Sequence, residues 1–297
     1  MTQRCGYVAV VGKPNVGKST LMNSSLGVRL SITTHKPQTT RHRILGVKTR
    51  GDSQFVFIDT PGFHLGQDKA INRYMNKAAV SAIQDVDVVL FVIQAMRWTK
   101  EEEALLLRLK NADVPVIAVI NKADLLADKT ELLPFLVEVG SKHEFAQIIP
   151  VSAKTNKGVS QLEDLVRSFL PEQPHIFDED DYTDKNMRFL ASERIREQLF
   201  YVMNEEIPYS LTVEIEQFES DAERFSIGAV IWVERSTQKG IVIGKGGSVL
   251  KEVGTRARKS MAHLFGKRVH LELWVRVKEG WSDNDKALHS LGYGDND

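Results

Sequence analysis

Eight residues near the start of the chain constrain its fold more than any other feature. Gly12-Lys13-Pro14-Asn15-Val16-Gly17-Lys18-Ser19 has the spacing G-x-x-x-x-G-K-[ST], after the apolar run 7–11 and before a helical pattern over 19–26. A strand that passes through a glycine turn into a helix aims several backbone N–H groups and a helix N-terminus at one place, which makes a cradle for anions. Phosphates fit it, with Lys18 bridging two of them and Ser19 giving an oxygen to Mg²⁺. Gly12, Asn15, Val16, Gly17, Lys18, Ser19 and Thr20 are the residues expected on the phosphates.

An ordinary glycine-rich turn could share that spacing, so the surrounding chain decides. Through residue 170, apolar runs at 7–11, 55–58, 86–93, 114–120 and 148–151 alternate with helical patterns at 19–26, 72–83, 101–110 and 159–169. Such alternation predicts an α/β domain, a mostly parallel sheet with helices on both faces. Ligands bind such sheets at the carboxyl ends of their strands. Three further fragments fall there. Asp59-Thr60-Pro61-Gly62 closes the second run, where Asp59 can join the Mg²⁺ shell and the Gly62 amide can meet a γ-phosphate. Asn121-Lys122-Ala123-Asp124 closes the fourth. The Asp124 carboxylate can accept from guanine N1–H and N2–H₂, an edge adenine lacks, so GTP and GDP are the expected nucleotides. Ser152-Ala153-Lys154 closes the fifth, within reach of guanine O6. A metabolic kinase built on the same loop would need an acceptor pocket and would have no use for Asn121 to Asp124.

The polar loop 33–41 lies between the phosphate loop and Asp59. A threonine there that reaches Mg²⁺ only beside a γ-phosphate would give an ordered GTP state and a loose GDP state. Thr40 is preferred to Thr39, which makes Lys18, Thr40, Asp59 and Gly62 the expected catalytic residues and Ser19, Thr40 and Asp59 the expected metal ligands. Switch GTPases of this kind often carry a glutamine just after Asp-x-x-Gly to orient water. Here Phe63 and His64 follow, and His64 is read as a surface residue without a role.

Formal charge is zero, 39 basic against 39 acidic residues, and the average hides an asymmetry. Residues 171–185 combine two prolines with the run Asp178-Glu179-Asp180-Asp181 and read as a linker, separating a domain at 1–170 from one at 186–297. The second module has an α+β pattern, and from Arg235 to Lys278 it holds eleven Lys and Arg against Glu252 and Glu272. Gly244-Lys245-Gly246-Gly247 leads there into a helix at 248–265 that carries Lys251, Arg256, Arg258 and Lys259. A G-x-x-G turn admits a nucleic-acid backbone and adjacent cations neutralise its phosphates, the way KH domains hold about four nucleotides of single strand. Ile241, Ile243, Val249, Leu250 and Val253 are expected as core and groove floor. A lone Cys5 excludes a disulfide framework and a cysteine zinc site, and no apolar run approaches the ~20 residues of a membrane helix, so a cytoplasmic protein is expected.

With these residues in order, the chain resembles the Era-type family of bacterial GTPases along nearly its whole length. The matching segments are Gly12 to Thr20, Gln38-Thr39-Thr40-Arg41, Asp59 to Gly62, Asn121 to Asp124, Ser152 to Lys154, Val242 to Gly247, and the closing His270-Leu271-Glu272-Leu273-Trp274-Val275 with Gly280-Trp281. The resemblance implies a GTPase domain followed by a type II KH domain. It further implies binding of the 3′ end of small-subunit (16S) ribosomal RNA through Ile243 to Gly247 and the basic helix, assistance to 30S subunit maturation, a monomer, and peripheral contact with the inner face of the cell membrane. A hydrophobic residue replaces the glutamine in that family, which Phe63 fits, and Asn15 is implied as a ligand of K⁺. Asn23-Ser24-Ser25 departs from it by being more polar than the family pattern.

Overall fold

Valine, isoleucine and phenylalanine fill β4 (Val88–Gln94, VVLFVIQ) and β5 (Val116–Asn121, VIAVIN) on both faces, so neither can lie at a solvent edge. They occupy the middle of a six-stranded sheet ordered β2-β3-β1-β4-β5-β6, with β1 at Arg4–Val11, β2 at Ile44–Arg50, β3 at Ser53–Asp59 and β6 at Gln147–Pro150. All pairings are parallel except β2 with β3. Helices α1 (Lys18–Leu26), α2 (Ala70–Ser81), α3 (Lys100–Leu109), α4 (Leu132–Gly140) and α5 (Val159–Arg167) complete this unit. The computed structural model describes residues 2–63, 65, 69–110, 112–203 and 207–293.

Two elements of this unit escape the sequence pattern. In β2, Gly46 and Lys48 interrupt the apolar residues, as suits an edge strand paired on one side only. In α4, Leu132, Phe135, Leu136 and Val139 give no clear polar face, and Pro134 sits in the first turn, where a missing N–H costs little.

Contacts divide the chain into two units, Met1–Asp68 with Asn72–Asp184, and Lys185–Asp297 with Lys69–Ile71. The proline-containing acidic segment therefore groups with the first unit and is no free spacer. Buried Gln54 accepts from the Ile176 and Phe177 amides at 2.9 Å each and donates to the Phe177 carbonyl at 2.8 Å. The Val47 amide donates to Tyr182 O at 3.0 Å, and Thr183 Oγ1 to Leu45 O at 2.7 Å. Hydrogen bonds of this kind, made to backbone groups of the segment or by its Thr183 hydroxyl, need no apolar side chains, so acidic composition did not prevent them.

The second unit runs α6 (Met187–Val202), β7 (Leu211–Ser220), β8 (Arg224–Val233), α7 (Ser236–Ile243), α8 (Ser248–Phe265), β9 (Arg268–Val277) and α9 (Asp285–Ser290). Its sheet is ordered β7-β8-β9, antiparallel then parallel. Leu199 of α6, Ile231 of β8 and Val253, Ala257 and Met261 of α8 share one core. Trp281 is fully buried, stacked on Tyr293, and its Nε1 donates to Ser210 O at 3.2 Å. Among the described residues no helix is long and apolar enough to cross a membrane.

Candidate nucleotide site and nucleic-acid interface

The phosphate loop turns on Gly17, whose φ of 99° favours glycine; a Cβ there would collide with Asn121 Nδ2. That clearance lets Asn121 Nδ2 donate to Val16 O at 2.8 Å while its Oδ1 accepts from the Ala153 amide at 3.0 Å. One buried amide so joins the phosphate loop to the turn after β6. Lys122 adds a second tie, with Nζ 2.5 Å from Asn15 O and 3.1 Å from Gln94 Oε1.

Lys18 opens α1 with a buried side chain whose Nζ donates to Lys13 O at 3.0 Å. Burial lowers its pKa to about 8 against the opposing pull of Asp59. Ser19 Oγ lies 2.8 Å from Thr40 Oγ1, and Thr40 Oγ1 donates to Asp59 Oδ2 at 3.2 Å. Oxygens from α1, the loop before β2 and the end of β3 therefore meet at one point. Burial pushes the Asp59 carboxyl up, opposed first by the Lys18 charge and then by hydroxyl donors. Its Oδ1 is buried without a hydrogen-bond partner. One orphaned carboxylate oxygen beside two hydroxyls fits Mg²⁺, which takes hard oxygen ligands and is usually held by one or two carboxylates plus phosphates and water. Thr40 is the threonine at this junction, and Thr39 beside it lines the phosphate-side cavity.

Gly62 lines that phosphate-side cavity of about 110 Å³ together with Pro14, Asn15, Gly17, Ser19 and Thr20. An adjoining cavity of about 270 Å³ is lined by Asn121, Lys122, Asp124, Ala153 and Lys154. Asp124 is exposed at its rim, with Oδ1 accepting from Ser152 Oγ at 2.6 Å. Gly17, Thr20, Thr33, Thr34, His35 and Lys122 belong to both walls, so the two form one cleft with a phosphate end and a base end. Gly12 hydrogen-bonds through its carbonyl to the Phe63 amide at 3.3 Å. Phe63 is buried in the core with the Arg108 guanidinium 4.5 Å above its ring, where it cannot orient water. His64 lies outside the described residues.

In the second unit the turn begins at Gly244, φ 75°, where a Cβ would lie 2.5 Å from Val249 Cγ2. Lys245 and Gly246 are exposed, Ile243 and Gly247 half-buried, and Gly247 N donates to Gly244 O at 3.1 Å. Val253 is core and Val249 and Leu250 are half-buried, but Ile241, on α7, is 54% exposed and belongs to the surface. Lys251, Arg256, Arg258 and Lys259 are all exposed on α8, and Arg256 is paired with Glu252 at 2.6 Å. These cations are spread along the helix. Arg258 lies eleven residues beyond Gly247, about 16 Å along the helix. There, with Lys259, it lines a cleft of about 1030 Å³ together with Arg224, Arg268 and His270.

Comparison with known proteins matches both domains. A family described as 50S ribosome-binding GTPase matches residues 7–122, and the KH domain family matches residues 206–282. GTPase Era of Azotobacter vinelandii is 52% identical over 98% of this chain and 97% of its own length; that of Haemophilus influenzae is 51% identical with the same coverage. The chain belongs to the Era family of GTPases. Two solved Era structures, each 38% identical with a TM-score of 0.95 over 98% of this chain, cover 100% and 99% of their own. One is an Aquifex aeolicus Era variant bound to GDP·AlF₄⁻, the other Era in complex with MgGDPNP and nucleotides 1506–1542 of 16S ribosomal RNA.

Several site residues make contacts that no motif announces. Asn23, part of the polar departure from the Era pattern, accepts from the Leu30 and Ser31 amides at 2.9 and 3.0 Å and donates to Ser31 O at 2.8 Å. It anchors the start of the loop that ends at Thr40. Leu125 lines the base end although 65% exposed. Arg224 precedes the basic stretch, so counting charge from Arg235 onward could not include it.

Proposed function

We propose that this GTPase is a switch that binds the 3′ end of small-subunit ribosomal RNA through its KH unit and assists maturation of the 30S subunit. The observation that carries the reading is the meeting of Thr40 with Ser19 and Asp59, since it makes one loop residue part of the metal group and hence sensitive to the nucleotide. Lys18 holds positive charge beside the β- and γ-phosphates, where negative charge moves onto the leaving oxygen as the γ-phosphoryl is transferred, and the Gly62 amide donates to the γ-phosphoryl group. Mg²⁺, held by Ser19, Thr40 and Asp59, supplies further charge neutralisation when bound. Asp124 selects guanine, with Asn121, Lys122, Ser152, Ala153 and Lys154 shaping the pocket around it. The Asn15 Nδ2 donates to His35 O at 3.0 Å, which leaves its Oδ1 for K⁺; faster hydrolysis in potassium than in sodium checks that role.

For the RNA, the reading rests on the G-x-x-G turn, the exposed cations of α8 and the Era complex with 16S nucleotides. Tyr182 and Thr183 are bonded to β2, the strand that begins three residues after Arg41, which gives the nucleotide loop a route to the segment entering the KH unit. RNA affinity measured at one salt concentration with GDP and with a non-hydrolysable GTP analogue tests the switch. A tighter complex with the analogue is expected, with RNA favouring GTP over GDP by the same factor; equal affinities would leave two independent units. A monomer in the cytoplasm, with peripheral contact to the inner membrane face, completes the reading, and light scattering and vesicle flotation check those two points.

A further inference from the structure

Lys13 lies inside the phosphate loop but does not line the phosphate-side cavity. Its side chain turns to α3, where Nζ is 3.0 Å from Glu102 Oε1 and 3.2 Å from Oε2. Glu102 has no exposed surface, and its Oε2 also accepts from the Thr99 amide at 2.9 Å, closing the N-terminal turn of α3. The same residue Lys13 offers its carbonyl to Lys18 Nζ. A short chain of contacts so runs from the first turn of α3 through Lys13 to the ammonium that serves the phosphates.

Residues 12–17 have no helix or strand pairing of their own, so their shape depends on what grips them. Three grips come from motif residues already assigned to nucleotide: Asn121 on Val16 O, Lys122 on Asn15 O and Lys18 on Lys13 O. The Lys13–Glu102 pair is a fourth, and it reaches into a part of the fold with no assigned role, 89 residues away in sequence. A carboxylate taken wholly out of water is costly unless paired and hydrogen-bonded, which gives the contact little freedom to slip. We infer that Lys13 and Glu102 form a positioning pair that fixes the Lys13 carbonyl, and through it the Lys18 ammonium, for GTP hydrolysis. The inference rests on the assignment of Lys18 to the transferring phosphoryl group. Neither residue lines the nucleotide cleft, so the pair acts on placement. A loop shifted by up to about 1 Å lowers rates by as much as a hundredfold.

Single-turnover GTP hydrolysis by the full chain tests this, read beside GDP affinity and thermal midpoint. Glu102→Gln keeps a residue type suited to the capping turn and leaves Lys13, which has access to water, without its anion. It is expected to slow hydrolysis roughly tenfold to a hundredfold while GDP affinity stays within about threefold. Lys13→Met leaves Glu102 buried without a cation and is the variant at risk of unfolding, so the double variant Lys13→Met with Glu102→Gln accompanies it. The double variant should be no slower than the slower single, because the two act as a unit. Lys13→Arg should restore most of the rate. Full-speed hydrolysis by Glu102→Gln overturns the inference, as does a loss that follows GDP affinity and thermal midpoint in proportion. A Lys18→Ala variant with wild-type hydrolysis would instead remove the underlying assignment.

Discussion

The molecule places a glycine turn at a helix N-terminus twice, before α1 and before α8, and the two turns are built in opposite ways. At Gly17 the loop is gripped by Asn121 and Lys122, and its lysine, Lys18, is buried, donates to Lys13 O and has a pKa lowered to about 8. At Gly246 and Gly247 a Cβ would meet nothing within 4 Å, and the adjacent lysine, Lys245, stands in solvent. An enclosed turn selects one ligand whose charge matches a fixed cation. An open one lets a polymer pass through, because each phosphate is met on one side only. Enclosure suits chemistry at a single phosphoryl group, and openness suits recognition of a repeating backbone.

If that contrast is right, the largest effect belongs to the enclosed cation. Lys18→Ala should reduce hydrolysis to the uncatalysed background, a loss on the order of several kcal/mol in transition-state stabilisation, read by phosphate release. The open turn should fail through charge and access instead. Lys245→Asp with Gly246→Asp is expected to weaken RNA binding by more than roughly a hundredfold at fixed salt, since acids repel the backbone the turn must admit. GTP affinity should be untouched, and persistence of RNA binding would break the comparison. Asp124→Asn should weaken GTP by about a hundredfold, two charge-assisted hydrogen bonds being at stake, while xanthosine triphosphate binding improves.

Protonation sharpens the contrast further. Phosphates raise the Lys18 pKa above its value of about 8 in the empty site. Nucleotide binding should therefore take up nearly one proton at about pH 9 and none through Lys18 at about pH 6, so affinity falls as pH rises through 8. Calorimetry in buffers of different ionisation enthalpy reads the uptake. In the empty protein the same lowered pKa means that the unfolded chain holds the extra proton between about 8 and 10.5, so Lys18 destabilises the fold least above pH 10. The smallest effect is expected at the far end of α8, where Arg258→Ala should reduce the slope of log RNA affinity against log salt by about 0.7 and leave hydrolysis unchanged. An unaltered slope would confine the RNA contacts to the turn.

What the sequence disclosed follows the same division. The residues assigned to nucleotide are tied to fixed spacings after strands, so Lys18, Asp59, Asn121 and Asp124 could be picked out from the sequence alone. Thr40 could be preferred to Thr39 only weakly, because loop 33–41 has no period to fix its direction. The Glu102 partner of Lys13 was invisible, since a contact across 89 residues leaves no local pattern. β2 escaped because an edge strand can carry Gly46 and Lys48 among its apolar residues. In the KH unit the eleven-to-two charge excess marked a stretch of chain and not where its cations lie in space. One-dimensional counting cannot tell Lys251, near the turn, from Arg258, in a cleft about two helical turns further on.

The strap of residues 171–183 also bears on how the protein is made. Its first residues close onto the very start of the chain: Gln173 N donates to Gln3 O at 3.1 Å, Cys5 N to Pro171 O at 3.2 Å, and Arg4 pairs with Glu172 at 3.0 Å. The Arg4–Glu172 contact spans 168 positions of sequence. At the usual pace of translation, on the order of ten to thirty seconds separate the two partners. During that interval the leading end of β1 has no partner on that side, and the loop that must be closed is among the longest the chain contains, which makes this a slow step. The GTPase unit is thus completed by the residues that lead into the KH unit. A chain released near residue 170 would carry every nucleotide motif and still lack the clasp that finishes its sheet.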